Sequence, residues 1–121
     1  MDQKIEVGKH AVTVFAGPYV VDGAVTADGL AFAESVLGMS EDAKEVAADK
    51  FLGTYNETWS GGGNPELTRE QFLGKLELDT VNIYDEIGAA EIIYRDGDMF
   101  GGHWIVVMFS DGKPEYASMR G

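Results

Sequence analysis

The run Ile92-Ile93-Tyr94-Arg95-Asp96-Gly97-Asp98-Met99-Phe100-Gly101-Gly102-His103-Trp104-Ile105-Val106-Val107-Met108-Phe109 constrains this chain more than any other segment. Two apolar stretches rich in β-branched and aromatic residues enclose an acidic, glycine-rich centre, the order expected of two strands joined by a turn. This run also holds the densest set of polar and aromatic groups, so a functional site is sought there first. No complete catalytic or metal-binding motif lies within it.

Strand patterning continues on both sides. From Thr80, the residues Val81, Ile83, Ala90, Ile92 and Tyr94 alternate with more polar neighbours, the period-two signature of half-buried strands. A further strand runs from His103 to Phe109, and another is expected over 115–118 with Asp111-Gly112 as the hairpin turn. Near the N-terminus, Ile5 and Val7, Val12 and Val14, and Val20-Val21 are spaced like short strands. Gly8-Lys9, Gly17-Pro18 and Asp22-Gly23 punctuate them, which predicts an antiparallel meander.

The middle of the chain changes period. Asp28-Gly29 leads into Leu30, Phe32, Ala33, Val36 and Leu37, a helical spacing that ends at Gly38 as a C-terminal cap. Ser40 is placed to N-cap a second helix, with Glu41 and Asp42 in its first turn and Ala43, Val46, Ala47 and Phe51 as its apolar stripe. The segment Trp59-Ser60-Gly61-Gly62-Gly63-Asn64-Pro65 cannot continue that helix and reads as an exposed loop. Thr68 and Gln71 have capping-box spacing, which predicts a third helix over 69–77 although Gly74 weakens it. Strands, then helices, then strands predict an α+β fold: a mainly antiparallel sheet with two or three helices packed on one face. With no repeat and no linker, residues 1–121 read as a single domain.

Composition narrows the partners. The 121 residues carry 21 Asp and Glu against 9 Lys and Arg, a formal charge of -12. Such a field repels phosphate backbones and anionic lipid, which disfavours nucleic acid and membrane surfaces and suits a basic protein partner, a cation or plain solubility. With 45% apolar residues the composition is that of a folding chain. The absence of cysteine excludes disulfides, thiol nucleophiles and thiolate metal sites. The first residues lack a basic segment followed by an apolar one, and no run approaches a membrane span, so a cytoplasmic location is expected.

At Tyr94 to His103, and from Asp111-Gly112 to Gly121, the chain resembles a family of small acidic bacterial domains of uncharacterised function. The resemblance covers roughly the last fifty residues, from Phe72 on, and its mark is an apolar strand, the Asp96-Gly97-Asp98-Met99-Phe100 turn and the Gly102-His103 pair that opens the next strand. Asp96, Gly97, Asp98, Phe100, Gly102 and His103 carry it. Some members of such families sit beside toxin genes and have been proposed as immunity proteins. The resemblance therefore implies a small α+β fold and a protein-binding role, and it carries over no catalytic residue.

The candidate chemistry divides into sharper and plainer readings. Asp96 and Asp98 would set two carboxylates at a loop tip, where calcium prefers oxygen ligands, yet the run lacks the further spaced donors of an EF-hand, and Asp-Gly is itself a turn signal. His103 would serve as a general base oriented by Asp96 or Asp98, or as a strand-opening histidine bonded to a turn carboxylate or backbone carbonyl. Ser110 or Ser118 would have to converge on it to form a nucleophile. Gly61-Gly62-Gly63 lacks the Gly-Lys-Ser/Thr of a phosphate-binding loop. Trp104 reads as core and Trp59 as the surface anchor.

The expectation is a non-enzymatic acidic interaction domain, of immunity type, that blocks a basic protein partner through Asp96, Asp98, Phe100, His103, Trp59 and the face of Glu41, Asp42 and Glu45. No catalytic residue, metal ligand or cofactor is assigned. The alternatives are a small metal-dependent or His/Asp hydrolase and an oligomeric module, a homodimer paired through exposed strand edges.

Overall fold

The computed structural model describes residues 2–15 and 17–121. Its strands are β1 (Gln3–Val7), β2 (His10–Val14), β3 (Val20–Val21), β4 (Ala24–Val25), β5 (Glu77–Ile83), β6 (Ala90–Arg95), β7 (Trp104–Ser110) and β8 (Lys113–Arg120). Its α-helices are α1 (Ala27–Gly38), α2 (Ser40–Thr54) and α3 (Arg69–Lys75), and α2 runs on into a π-helical turn, Tyr55–Trp59. Six strands form one sheet in the order β1-β2-β5-β6-β7-β8, and β3 and β4 form a separate ribbon. The fold is α+β, with a mostly antiparallel sheet.

The exception to antiparallel pairing explains where the helices go. β2 and β5 run parallel, with Val12 opposite Val81 and Val14 opposite Ile83. A parallel pair needs a long crossover, and here it contains β3, β4 and all three helices. The N-terminal meander therefore stops after two strands. Val20–Val21 pairs with β4, and the second edge of β2 goes to β5, whose Val81 and Ile83 are fully buried whereas Val21 stays exposed.

One face of the sheet is covered. Val12, Val14, Val81, Ile83, Ala90, Ile92, Tyr94, Ile105, Val107 and Phe109 join Ala33 and Val36 of α1 and Ala43, Ala47, Ala48 and Phe51 of α2 in one apolar cluster. The alanines of α2 let its backbone lie close to β7 and β8. Tyr94 is buried among them, and its hydroxyl donates to the Ser40 carbonyl at 2.9 Å while accepting from Ser40 Oγ at 2.9 Å. Burial raises the Tyr94 phenol above its ordinary value.

Helix ends depart from expectation where helices meet. α1 starts earlier than Leu30, because Thr26 caps it by accepting from the Gly29 N–H at 3.0 Å, so Asp28-Gly29 lies inside the first turn. Only Met39 separates α1 from α2, and Met39, not Ser40, holds the cap position without a side-chain bond. With one residue between the helices, no extended residue is left to cap the second, and Ser40 turns to Tyr94. The third helix starts as predicted, at a complete Thr68/Gln71 capping box. Trp104 is another departure, since it lies 37% exposed on the uncovered face of the sheet.

Candidate functional site

The 96–103 loop is built around one inward-facing carboxylate. Asp96, 3% exposed at the end of β6, accepts from the Asp98 N–H through Oδ1 at 2.8 Å. Through Oδ2 it accepts from the N–H groups of Phe100 at 2.9 Å, Gly102 at 3.2 Å and His103 at 3.0 Å. Four backbone donors closing on one side chain define the path of the loop. Such a path requires left-handed residues: Gly97 has φ 60° and Asp98 φ 63°, and a Cβ at Gly97 would lie 2.7 Å from the Lys75 carbonyl oxygen at the end of α3.

Phe100 is driven inward by this turn. Its ring is buried and meets Phe51, Tyr55 and Trp59 edge-on at centroid distances of 5.9, 5.6 and 5.4 Å. Trp59 covers this cluster from outside, 40% exposed, and also lies 6.3 Å from the His103 ring. The His103 Nδ1 bonds to the Phe100 carbonyl. A carbonyl only accepts, so Nδ1 carries the hydrogen of this bond. A shallow depression of about 300 Å³ lies beside it, lined by Glu77, Arg95, Asp98, His103 and Trp104 among others.

The expected site residues separate into three groups. Asp98, Trp59 and His103 reach the surface around this loop. Asp96 and Phe100 belong to its interior, so neither is offered to a partner in this conformation. Glu41, Asp42 and Glu45 lie at the other end of α2 from Phe51, about 15 Å along the helix for Glu41. Glu45 is engaged internally, at 2.6 Å from Arg69 Nε, and Asp49 holds the same guanidinium at 2.8 Å. Glu41 meets Lys44 at 3.7 Å.

The hydrolase arrangement does not assemble. The His103 ring bonds to a backbone carbonyl and the Asp96 oxygens accept from amides, and among the described residues neither Asp96 nor Asp98 is bonded to the ring. Ser110 ends β7 at the far side from His103, about 20 Å along the strand, and Ser118 pairs with Val106. Among the described residues no group of three or more His, Asp or Glu side chains is placed to hold a metal ion.

A second polar cluster escapes sequence reading. Glu91, 1% exposed, stands on β6 facing away from the helices. Its Oε1 accepts from the Tyr84 hydroxyl and from Arg120 Nη2 at 3.1 Å, and its Oε2 accepts from Asn82 Nδ2 at 3.1 Å and Arg120 Nη1 at 3.1 Å. Burial pushes the Glu91 carboxyl upward, but hydrogen bonds from Arg120, Tyr84 and Asn82 outweigh it and hold the group below its ordinary value. Tyr84 is pushed up to about 12, by burial first and then by its bond to Glu91. The one available signal was a carboxylate inside the apolar run Ala90 to Tyr94, and its arginine lies 29 residues away.

Residues 25–119 match the model of a family described as an uncharacterised protein conserved in bacteria, DUF2262. The match starts well before Phe72 and takes in all three helices as well as the 96–103 loop. No curated protein and no solved structure matches the chain. Since the family model spans everything from the last residue of β4 to the penultimate residue of β8, the chain belongs to this bacterial family.

Proposed function

We propose that this protein is a non-enzymatic interaction domain that holds a basic protein partner, in the manner of an immunity protein. The observation that carries the reading is the saturation of its buried carboxylates. Asp96 is filled by four amides and Glu91 by Tyr84, Asn82 and Arg120, so the groups best placed for acid–base chemistry serve the fold. The exposed carboxylates are a different population: Glu41, Asp42 and Asp98 face solvent on a chain of formal charge -12. Complementary charge would speed encounter with a cationic surface, and the rim of Trp59 and His103 would supply anchoring contact.

Affinity capture from a bacterial lysate at low and moderate salt tests the reading. The wild type is compared with a triple variant, Glu41→Gln, Asp42→Asn and Asp98→Asn, which leaves both buried carboxylates intact. Retention of a basic protein by the wild type, weakened by salt and by the triple variant, is the expected outcome. Capture that ignores both salt and the substitutions would sink the proposal.

A further inference from the structure

We propose that the uncovered face of the six-stranded sheet, centred on Trp104, Met108 and Tyr116, is the surface through which two copies of this chain associate. The helices occupy only the face that carries Val81, Ile92 and Val107. Strand register sets a different population on the other side: Ile93 opposite Val106, Met108 opposite Glu91 and Tyr116, and Trp104 between Arg95 and Arg120. Trp104 and Tyr116 are exposed there by 37% and 54%. Val106 is completely buried yet lies outside the helix-side cluster, because Arg120 must cross above β7 to reach Glu91 on β6.

Charge selects the occupant. Two molecules of formal charge -12 repel over most of their surfaces, so they can meet only where that charge is locally absent. On β5 to β8 of this face, Arg95 stands between Glu77 and Asp79, and Arg120 holds Glu91. Among these ion-paired groups two arginines stand against three carboxylates, one net negative charge within a chain of formal charge -12. A cationic partner gains little here and a second copy loses little.

The face is also prepared for removal from water. Glu91 is the only carboxylate buried within it among the described residues, and both its oxygens are already paired, so covering it strands no acceptor. Six strands at about 4.8 Å spacing and roughly 20 Å of length give on the order of 500 Å² in plan for each copy. Two faces reach about 1,000 Å² before side-chain relief is counted, the lower bound of specific interfaces. The β8 edge of the sheet is less suited. β8 carries Pro114, Lys113 and a bulge opposite the Met108–Phe109 step of β7, all of which oppose strand pairing with another chain.

Sedimentation equilibrium of the full chain across a concentration series tests the inference. The mass is expected to rise from 13.1 kDa toward twice that value. Added salt should tighten the association, because it screens repulsion between like-charged copies. Trp104→Glu should weaken it at least tenfold, and Tyr116→Lys, at the more exposed position, keeps the test open should the first variant fail to fold. In a Trp59→Phe background, Trp104 emission should shift to the blue as the dimer forms. A wild type that stays at 13.1 kDa up to its solubility limit overturns the proposal. So does a dimer unaffected by both substitutions, since contact would then lie at an edge or on the helical layer.

Discussion

Asp96 shows how one residue type can carry two opposite readings until its direction is known. A carboxylate in an Asp-Gly-Asp turn is as suited to a cation as to its own backbone, and only the inward rotation onto four N–H groups decides between them. Replacing Asp96 by Ala leaves those donors without their acceptor and should lower stability by about 3 to 5 kcal/mol. Asp96→Asn, which keeps one acceptor oxygen, should cost about 2 kcal/mol. Urea denaturation midpoints measure both, and values near wild type would show that the loop holds its shape without the side chain. Glu91 and Tyr84 predict pH effects at opposite ends of the scale. The folded-state value of Glu91 is lowered, so its contribution is complete above the unfolded value of about 4.3 and fades as pH falls below it. Tyr84 is raised to about 12, so its contribution is complete below the unfolded value near 10 and is lost as pH climbs through 12. Glu91→Gln should cost about 2 kcal/mol at neutral pH, with the gap to wild type narrowing under acid. Tyr84→Phe should close its own gap above pH 10. A gap constant with pH in either case would show that the cluster does not titrate as its hydrogen bonds require.

At the level of elements, the legible features were those specified by neighbours in sequence. The Thr68/Gln71 capping box, the Gly8-Lys9 turn and the Asp111-Gly112 hairpin, with φ of 52° and 77°, all form where local patterning puts them. The misread features depend on what packs against an element from elsewhere. Ser40 has the chemistry of an N-cap, but the single-residue joint between α1 and α2 makes it helical and gives its hydroxyl to Tyr94. Two helical glycines make the same point testable. Gly53 on α2 has open space around it and no left-handed backbone, so Gly53→Ala should stabilise by about 0.5 to 1 kcal/mol through helix propensity. Gly29 in α1 lies where a Cβ would sit 2.9 Å from Tyr19 Cβ and 3.0 Å from its carbonyl oxygen, so Gly29→Ala should destabilise by about 1 to 3 kcal/mol. Thermal melts of the two variants should move in opposite directions, and an increase for both would show that α1 does not rest on Tyr19 as described.

For the molecule as a whole, salt separates the two associations proposed. Binding of a basic partner to the exposed carboxylates should weaken as ionic strength rises, whereas pairing of two acidic copies through the nearly neutral sheet face should strengthen. A titration calorimetry series for the partner and a sedimentation series for the chain alone measure the two trends, and parallel trends would contradict the assignment of separate surfaces. No helix among the described residues is long and apolar enough to cross a membrane. By itself the sequence determined the α+β class, the helix-then-strand order and the hairpins, because period, turn chemistry and capping act over a few residues. It also marked the loop at 96–103 as the place where polar and aromatic groups gather. Only the tertiary structure decided that Asp96 and Phe100 face inward while Trp104 faces out, that β2 turns from the meander to β5, and that Glu91 meets Arg120. Those outcomes depend on strand register and on which face the crossover helices cover, contacts between residues far apart in the chain that no local pattern encodes.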